Sequence, residues 1–539
     1  MFGAWSRRLI STLVAAVLIA GPGSGNADKL RVADAGDVLS MDPHSLNETF
    51  QLTFLNNVYE PLIGRSQDMS LWPLLATRWA QTSPTVWRFE LRRGVRFHDG
   101  TPFDADDVVF SFERAAGAGS DLKGVTSPIK QVRKVDAFTV DIETDAPFPT
   151  LPDAITTLYI LNRKWCEENK AEQPADRRKR EENTASFKAN GTGPYRLKER
   201  QPGTRTDLVR NSSYWGKIQG NVDEVVFTPI SNAATRVAAL VSGEVDLIQP
   251  VPLQDIAYLK ARGLTVLQGP ELRVIFLGMD QKRDELLYSN VKGRNPFKDR
   301  RVRQAFYQAI DIEAIRSRVM YNAAIPTAQL VASVVRGYQP EMKRLPHDVE
   351  AAKRLLVEAG YPNGFEVLMN CPNDRYVQGE AVCVAIAANL SRIGVKINLQ
   401  VESKSLFFPK ILRRDTSLYI LSWIPITLDS YDAMYNLMAT PTDKGQGQFN
   451  LGAYSNPKFD ELTAKVKSEL DDKKRSEYIR EAFRLHADDI GHIPLYQQTL
   501  AWGFNRNVRL VQPPNNGMYF GWMSLLTPDA ERDGGGTRR

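Results

Sequence analysis

The sequence predicts a mixed α/β (α+β) fold with more than one lobe. Three observations carry that prediction. Strand periods and helix periods alternate along the whole chain, with no stretch given over to one class. The chain has 539 residues, far more than one hydrophobic core normally holds. No low-complexity segment or short-period repeat interrupts it.

The first 27 residues read as a leader and not as fold. Arg7 and Arg8 form a positive n-region, and Leu9–Ala20 is an apolar run too short to span a bilayer comfortably. The alternative is an N-terminal membrane anchor. Gly25-Asn26-Ala27 offers a small-residue cleavage site, so export to the periplasm with cleavage near Ala27 is expected. No cysteine follows the apolar run to carry a lipid, and the route, Sec or twin-arginine, stays open.

In the stretch 87–113, Trp87, Phe89 and Leu91 alternate with charged residues, the period of a half-buried strand. Gly100-Thr101-Pro102 marks a turn. Asp104 suits a helix N-cap, followed by Asp106 and Asp107 in the first turn. Residues 231–248 read as helix then strand, with Ser231 as cap, Gly243 as stop, and Val245 and Leu247 alternating after it. From Asp299, the apolar residues Val302, Ala305, Phe306, Ala309 and Ile310 share one helical face. The region 348–423 forms the clearest α/β unit: a helix to Gly360, a strand over Phe365–Met369, a helix at 378–392, a strand at 395–401, a short helix near 405–413 and a strand at 418–421. Ligands of open α/β sheets sit beyond the carboxyl ends of strands. Two segments leave such ends here, Asn370–Gln378 and Ser422–Tyr435. The tail 533–539 reads as disordered.

Composition narrows the function. The net charge is +6, and its acidic and basic residues are interspersed, which gives no support to nucleic-acid binding. No HExxH, GxSxG or SxxK set is present, and the five histidines (His44, His98, His347, His486 and His492) are scattered. An exported enzyme therefore finds little support, and no metal site or cofactor is expected. Export would make a disulfide chemically possible. Cys371 and Cys383 are the pair expected to bridge, leaving Cys166 free; a reduced, buried pair is the alternative.

As a literal string, residues 87–113 (WRFELRRGVRFHDGTPFDADDVVFSFE) resemble the signature of the family 5 extracytoplasmic solute-binding proteins. The resemblance extends to Asn57–Leu62, Trp72–Ala76, Gly191-Thr192-Gly193-Pro194-Tyr195, the RNSSYWG run from Arg210, Val241–Asp246, Arg301–Ala305 and Ala351–Gly364. The family region is placed at about 70–450. The resemblance implies a two-lobed receptor of an ABC importer that closes on its solute by hinge motion, with an extra subdomain in the first lobe. It implies a first lobe from 28–270 and 491–532, an inserted second lobe over 271–490, and a membrane permease as partner. The receptor itself is expected to be monomeric.

Peptide binders of this family carry a tryptophan followed closely by an aspartate that holds the peptide ammonium. Trp423 matches the tryptophan, but Ile426 stands at the aspartate position. Asp429 or Asp432 substitutes if the loop shifts; otherwise the solute is an opine, a sugar, a metal chelate or another molecule without a free amine. The expected ligand-binding residues are Trp423, Asp429, Tyr431 and Asp432 on one loop and Asn373, Arg375 and Tyr376 on the other, with Trp502 as a further candidate. Core packing is the alternative for Trp423 and Trp502, and capping for Asp429 and Asp432. Residues 87–113 are expected to be lobe scaffold that never touches the solute.

Overall fold

The computed structural model describes residues 28–526 except Arg180, Asp374, Ile426, Asp443 and Lys444; at Arg178, Lys404, Ser405 and Pro409 it describes the backbone alone. The expected leader, the expected tail and Ile426 thus lie outside the described residues. The strands are β1 (Lys29–Asp34), β2 (Ile63–Arg65), β3 (Leu71–Pro73), β4 (Ala76–Ser83), β5 (Val86–Leu91), β6 (Ile129–Asp136), β7 (Thr139–Thr144), β8 (Tyr195–Gln201), β9 (Arg205–Arg210), β10 (Glu224–Pro229), β11 (Leu247–Gln249), β12 (Thr265–Met279), β13 (Ala324–Pro326), β14 (Glu366–Pro372), β15 (Lys396–Glu402), β16 (Leu418–Trp423) and β17 (Ile493–Phe504).

One 11-stranded sheet joins the two halves, in the order β15-β14-β16-β12-β17-β11-β1-β10-β9-β8, with β13 beside β17. Strands β12 and β17 are antiparallel and run through its middle. Their outer ends pair Thr265–Pro270 with Phe504–Thr499, and their inner ends pair Val274–Leu277 with Gln497–Ile493, with a register shift between Pro270 and Val274. The inner half of β12, buried on both faces, reads as a continuous apolar run. Gly278 is required there, because a Cβ would stand 2.1 Å from the Tyr419 ring.

The described residues form five hydrophobic cores, and three of them show the layout. One packs β1, β9 and β10 with Trp502 and Phe504. Another packs β14, β16 and the helices Arg300–Ala309 and Gly379–Ser391. The third belongs to a four-stranded antiparallel sheet, β4-β5-β7-β6, closed by the helix Ala105–Ala116. Mixed α/β architecture with an extra subdomain is therefore what the chain adopts. No described helix is long and apolar enough to cross a membrane.

Local readings hold with small shifts. Asp104 caps its helix in a capping box with Asp107, satisfying amide groups that have no intrahelical partner. Asp299 caps Arg300–Ala309 by accepting from the Arg301 amide at 2.8 Å. At the helix Ala233–Ser242 the cap is Asn232, not Ser231: its side chain accepts from the Thr235 amide at 2.9 Å, and both neighbours are good capping residues. The following strand starts at Leu247, later than the alternation at Val245 suggests. Cys371 and Cys383 are joined in a disulfide, and Cys166 is buried and free.

Candidate functional site

A cavity of about 920 Å³ opens beside the sheet's middle strands. Most of its wall comes from residues 47–74, 156–159, 214–219 and 514–522; Glu271, Leu272, Ile424 and Leu428 close it from the other half. Several sequence motifs converge on one buried carboxylate in this wall. Glu60 is 2% exposed and accepts from Thr192 Oγ1 at 2.8 Å, Tyr214 Oη at 2.7 Å and Trp215 Nε1 at 2.7 Å. Burial pushes its carboxyl up to about 7, against the pull of those three donors and of Arg92.

The convergence explains the glycines. A Cβ at Gly191 or Gly193 would lie 2.0 Å or 2.6 Å from Val58 backbone atoms. That close approach lets the Gly193 amide bond Val58 O at 3.0 Å and the Tyr195 amide bond Asn57 O at 2.9 Å. His98 locks the same turn, its Nε2 lying 3.0 Å from Gly193 O. Arg92 lies over the Trp215 ring at 4.2 Å and lines the cavity. The stretch 87–113 therefore reaches the cleft through Arg92, contrary to the expectation that it is scaffold alone.

A hairpin of β2 and β3 forms one edge of the cavity, and its contacts tie it down. Arg65 pairs with Asp153 at 2.8 Å and donates to Thr427 O across the cleft at 3.1 Å. Met69 at its tip packs with Leu272, Leu330 and Leu428 of the opposite half. Trp72, on the same hairpin, is 56% exposed and faces the cavity. Tyr519 and Trp522 stack at 4.0 Å on another part of the wall. None of these residues was singled out as a ligand contact by sequence, although Glu60 and Trp72 sit inside motifs that carry the family resemblance.

None of the eight expected ligand residues lines this cavity, but two of their neighbours, Ile424 and Leu428, do. Asp429 is 1% exposed and takes both guanidinium nitrogens of Arg475 at 2.7 Å while capping the helix Ser430–Ala433. Both lone-pair faces are therefore committed inside the protein. The Trp423 indole donates to Asp432 Oδ1 at 2.8 Å and packs 5.1 Å from Phe449. Tyr431 is half-buried beside Tyr435. Trp502 is fully buried and donates to Asn516 Oδ1 at 2.7 Å, so it is core.

The other loop borders the crossing strands. Glu271 accepts from Arg273 at 3.3 Å and from Gln498 at 2.7 Å, Arg273 donates to Ser422 at 2.9 Å, and the Val377 amide donates to Gln498 at 3.0 Å. Tyr376 is buried. Asn373 and Arg375 are exposed, and Arg375 feels the charges of Arg273, Glu271 and, from the first half of the chain, Glu48. His486 Nε2 lies 3.0 Å from His492 Nδ1 in the core, where burial holds both far below their ordinary range.

This geometry has clear relatives. The Glutathione-binding protein GsiB of Pectobacterium atrosepticum is 26% identical over 84% of this chain and 85% of that protein. The GsiB of Salmonella typhimurium is 25% identical over 88% and 90%. Among solved structures, the substrate-binding protein CtaP of Listeria monocytogenes superimposes with a TM-score of 0.81 at 21% identity, covering 93% of this chain and all (100%) of that one. DppA of Helicobacter pylori, in complex with the peptide STSA, gives 0.75 at 23% identity over 93% and 98%. The family model described as bacterial extracellular solute-binding proteins, family 5 Middle, matches residues 70–445. With the fold, the cleft and that match in agreement, the chain belongs to the family 5 extracellular solute-binding proteins: it is a binding protein and not an enzyme.

Proposed function

We propose that the chain is the periplasmic receptor of an ABC importer, capturing a peptide or peptide-like solute between two lobes and handing it to a membrane permease. The observation that carries this reading is the cavity of about 920 Å³ with walls from both sides of the two crossing strands. That volume suits a small solute rather than a macromolecule. The named relatives, glutathione- and peptide-binding proteins, support the peptide-like class. The lobes are proposed as 28–270 with 491–532, and 271–490, hinged where β12 and β17 pass between them; cleavage of the leader near Ala27 and a monomeric state belong to the same reading. Arg375 and Asn373, exposed beside the crossing, are the expected loop residues best placed to meet a solute as the lobes close.

A second reading, a receptor for a non-peptide solute, is favoured by Ile426 at the position where peptide binders carry aspartate. A thermal-shift screen of the mature chain against peptides, sugars and opines tests both. A ligand at a hundredfold excess over its dissociation constant adds about 3 kcal/mol of stability. A response with no turnover of the responding compound supports a receptor, and turnover would overturn it.

A further inference from the structure

We infer that the cleft selects a solute with no free ammonium group, one that lays a ring on the indole of Trp72 and brings an acidic group to Lys217. The inference rests on the receptor reading above and names the solute class within it.

The carboxylates are the first observation. Glu60 is held by three donors, and Glu271 by Arg273 and Gln498. Asp68 turns one oxygen to Ser66 and Ser70 and stands at the exposed hairpin tip, where an ion pair contributes about 0–1 kcal/mol. On the segment after β16, Asp429 is locked to Arg475, and Asp432 accepts from Trp423. No uncommitted, enclosed carboxylate remains among the described lining residues. An ammonium carried into this cavity would lose its water without gaining a partner, which is strongly unfavourable.

The aromatic wall is the second observation. Among the described residues Trp72 is the only tryptophan in the exposed class, and its indole nitrogen makes no hydrogen bond. A large apolar ring left open inside a cavity is a surface for another ring. Across the rim, Gln67 of the hairpin tip donates to Gln219 at 3.2 Å, which brings the hairpin against the segment carrying Lys217. Lys217 lines the cavity, is exposed and has no partner among the described residues; the other lining cations do, Arg65 with Asp153 and Arg92 with Leu74 O and the Trp215 ring.

The test uses matched probes that differ only in the ammonium. Ala-Phe and N-acetyl-Ala-Phe share a ring and a carboxylate, and calorimetry on the mature chain compares them. The same free and acetylated pairing is then run by thermal shift over a dipeptide panel. The expected result is at least tenfold tighter binding of the acetylated members. Trp72→Ala should weaken that binding at least tenfold and Lys217→Ala about threefold, whereas Trp72→Phe, which keeps a ring, retains most of it. Equal binding of the two forms, or preference for the free amine, overturns the inference and leaves the receptor reading standing. No response from any member, free or acetylated, overturns the inference together with the peptide-like reading, and leaves only the receptor for a non-peptide solute.

Discussion

The segment 422–435 and the hairpin 63–73 make an instructive pair. The first holds the residue types of a binding loop: one tryptophan, two aspartates and two tyrosines. The second holds one tryptophan on two three-residue strands. Yet in the first segment the side chains satisfy one another or the core: Asp429 with Arg475, Asp432 with Trp423, Tyr431 with Tyr435. In the hairpin Trp72 is 56% exposed, and its ring opens on the cavity. Polar and aromatic residues at a strand end mark a place where binding is possible. Whether they bind depends on what the neighbouring helices already offer them.

The largest expected effect breaks the first region. Asp429→Ala or Arg475→Ala leaves a buried charge unpaired, at a cost of about 3–5 kcal/mol. Urea unfolding measures it; a variant that loses ligand affinity at unchanged unfolding midpoint would return Asp429 to the binding site. The next effect concerns the cavity wall. The Glu60 carboxyl holds its proton to about pH 7 when folded but releases it near 4.5 when unfolded. The folded state therefore binds the extra proton between those values, and stability falls as pH rises through that window, by on the order of 3 kcal/mol. Asp34 and Asp107, both raised to about 6 by burial, act in the same direction. Comparison of wild type with Glu60→Gln at pH 5 and pH 8 isolates the Glu60 share, and parallel pH dependences would refute it.

A smaller effect comes from the bridge between Cys371 and Cys383, 12 residues apart. Closing so short a loop stabilises by about 2–3 kcal/mol on the chain-entropy account. Unfolded, unreduced protein should show one titratable thiol, from Cys166, and three after reduction. The smallest stability effect sharpens the comparison most: Trp72→Ala, on an exposed hairpin, should shift stability by no more than about 0.5 kcal/mol. Trp423→Ala, which removes a half-buried ring and its hydrogen bond to Asp432, should shift it by about 2 kcal/mol or more.

Local structure was readable wherever neighbours in sequence are neighbours in space. The cap at Asp104, the stop at Gly243 and the α/β unit of 348–423 depend on spacing within a few residues. The site was not readable in the same way. Glu60, Thr192, Tyr214 and Trp215 each lie inside a motif that carries the family resemblance, but only the fold shows them meeting. The glycines of the 191–195 turn signal a close approach without naming Val58 as the backbone approached. The ion pair of Asp429 was hidden for the same reason: its partner, Arg475, is 46 residues away.

Hydrogen exchange of the chain, free and saturated with the tightest-binding member of the dipeptide panel, tests the central claim most directly. Protection gained in the hairpin 63–73 and in 514–522, with little change in the already buried segment 430–438, is the predicted result. Protection gained in 430–438 while the hairpin stays unchanged would contradict it, and would return the solute to the loop after β16.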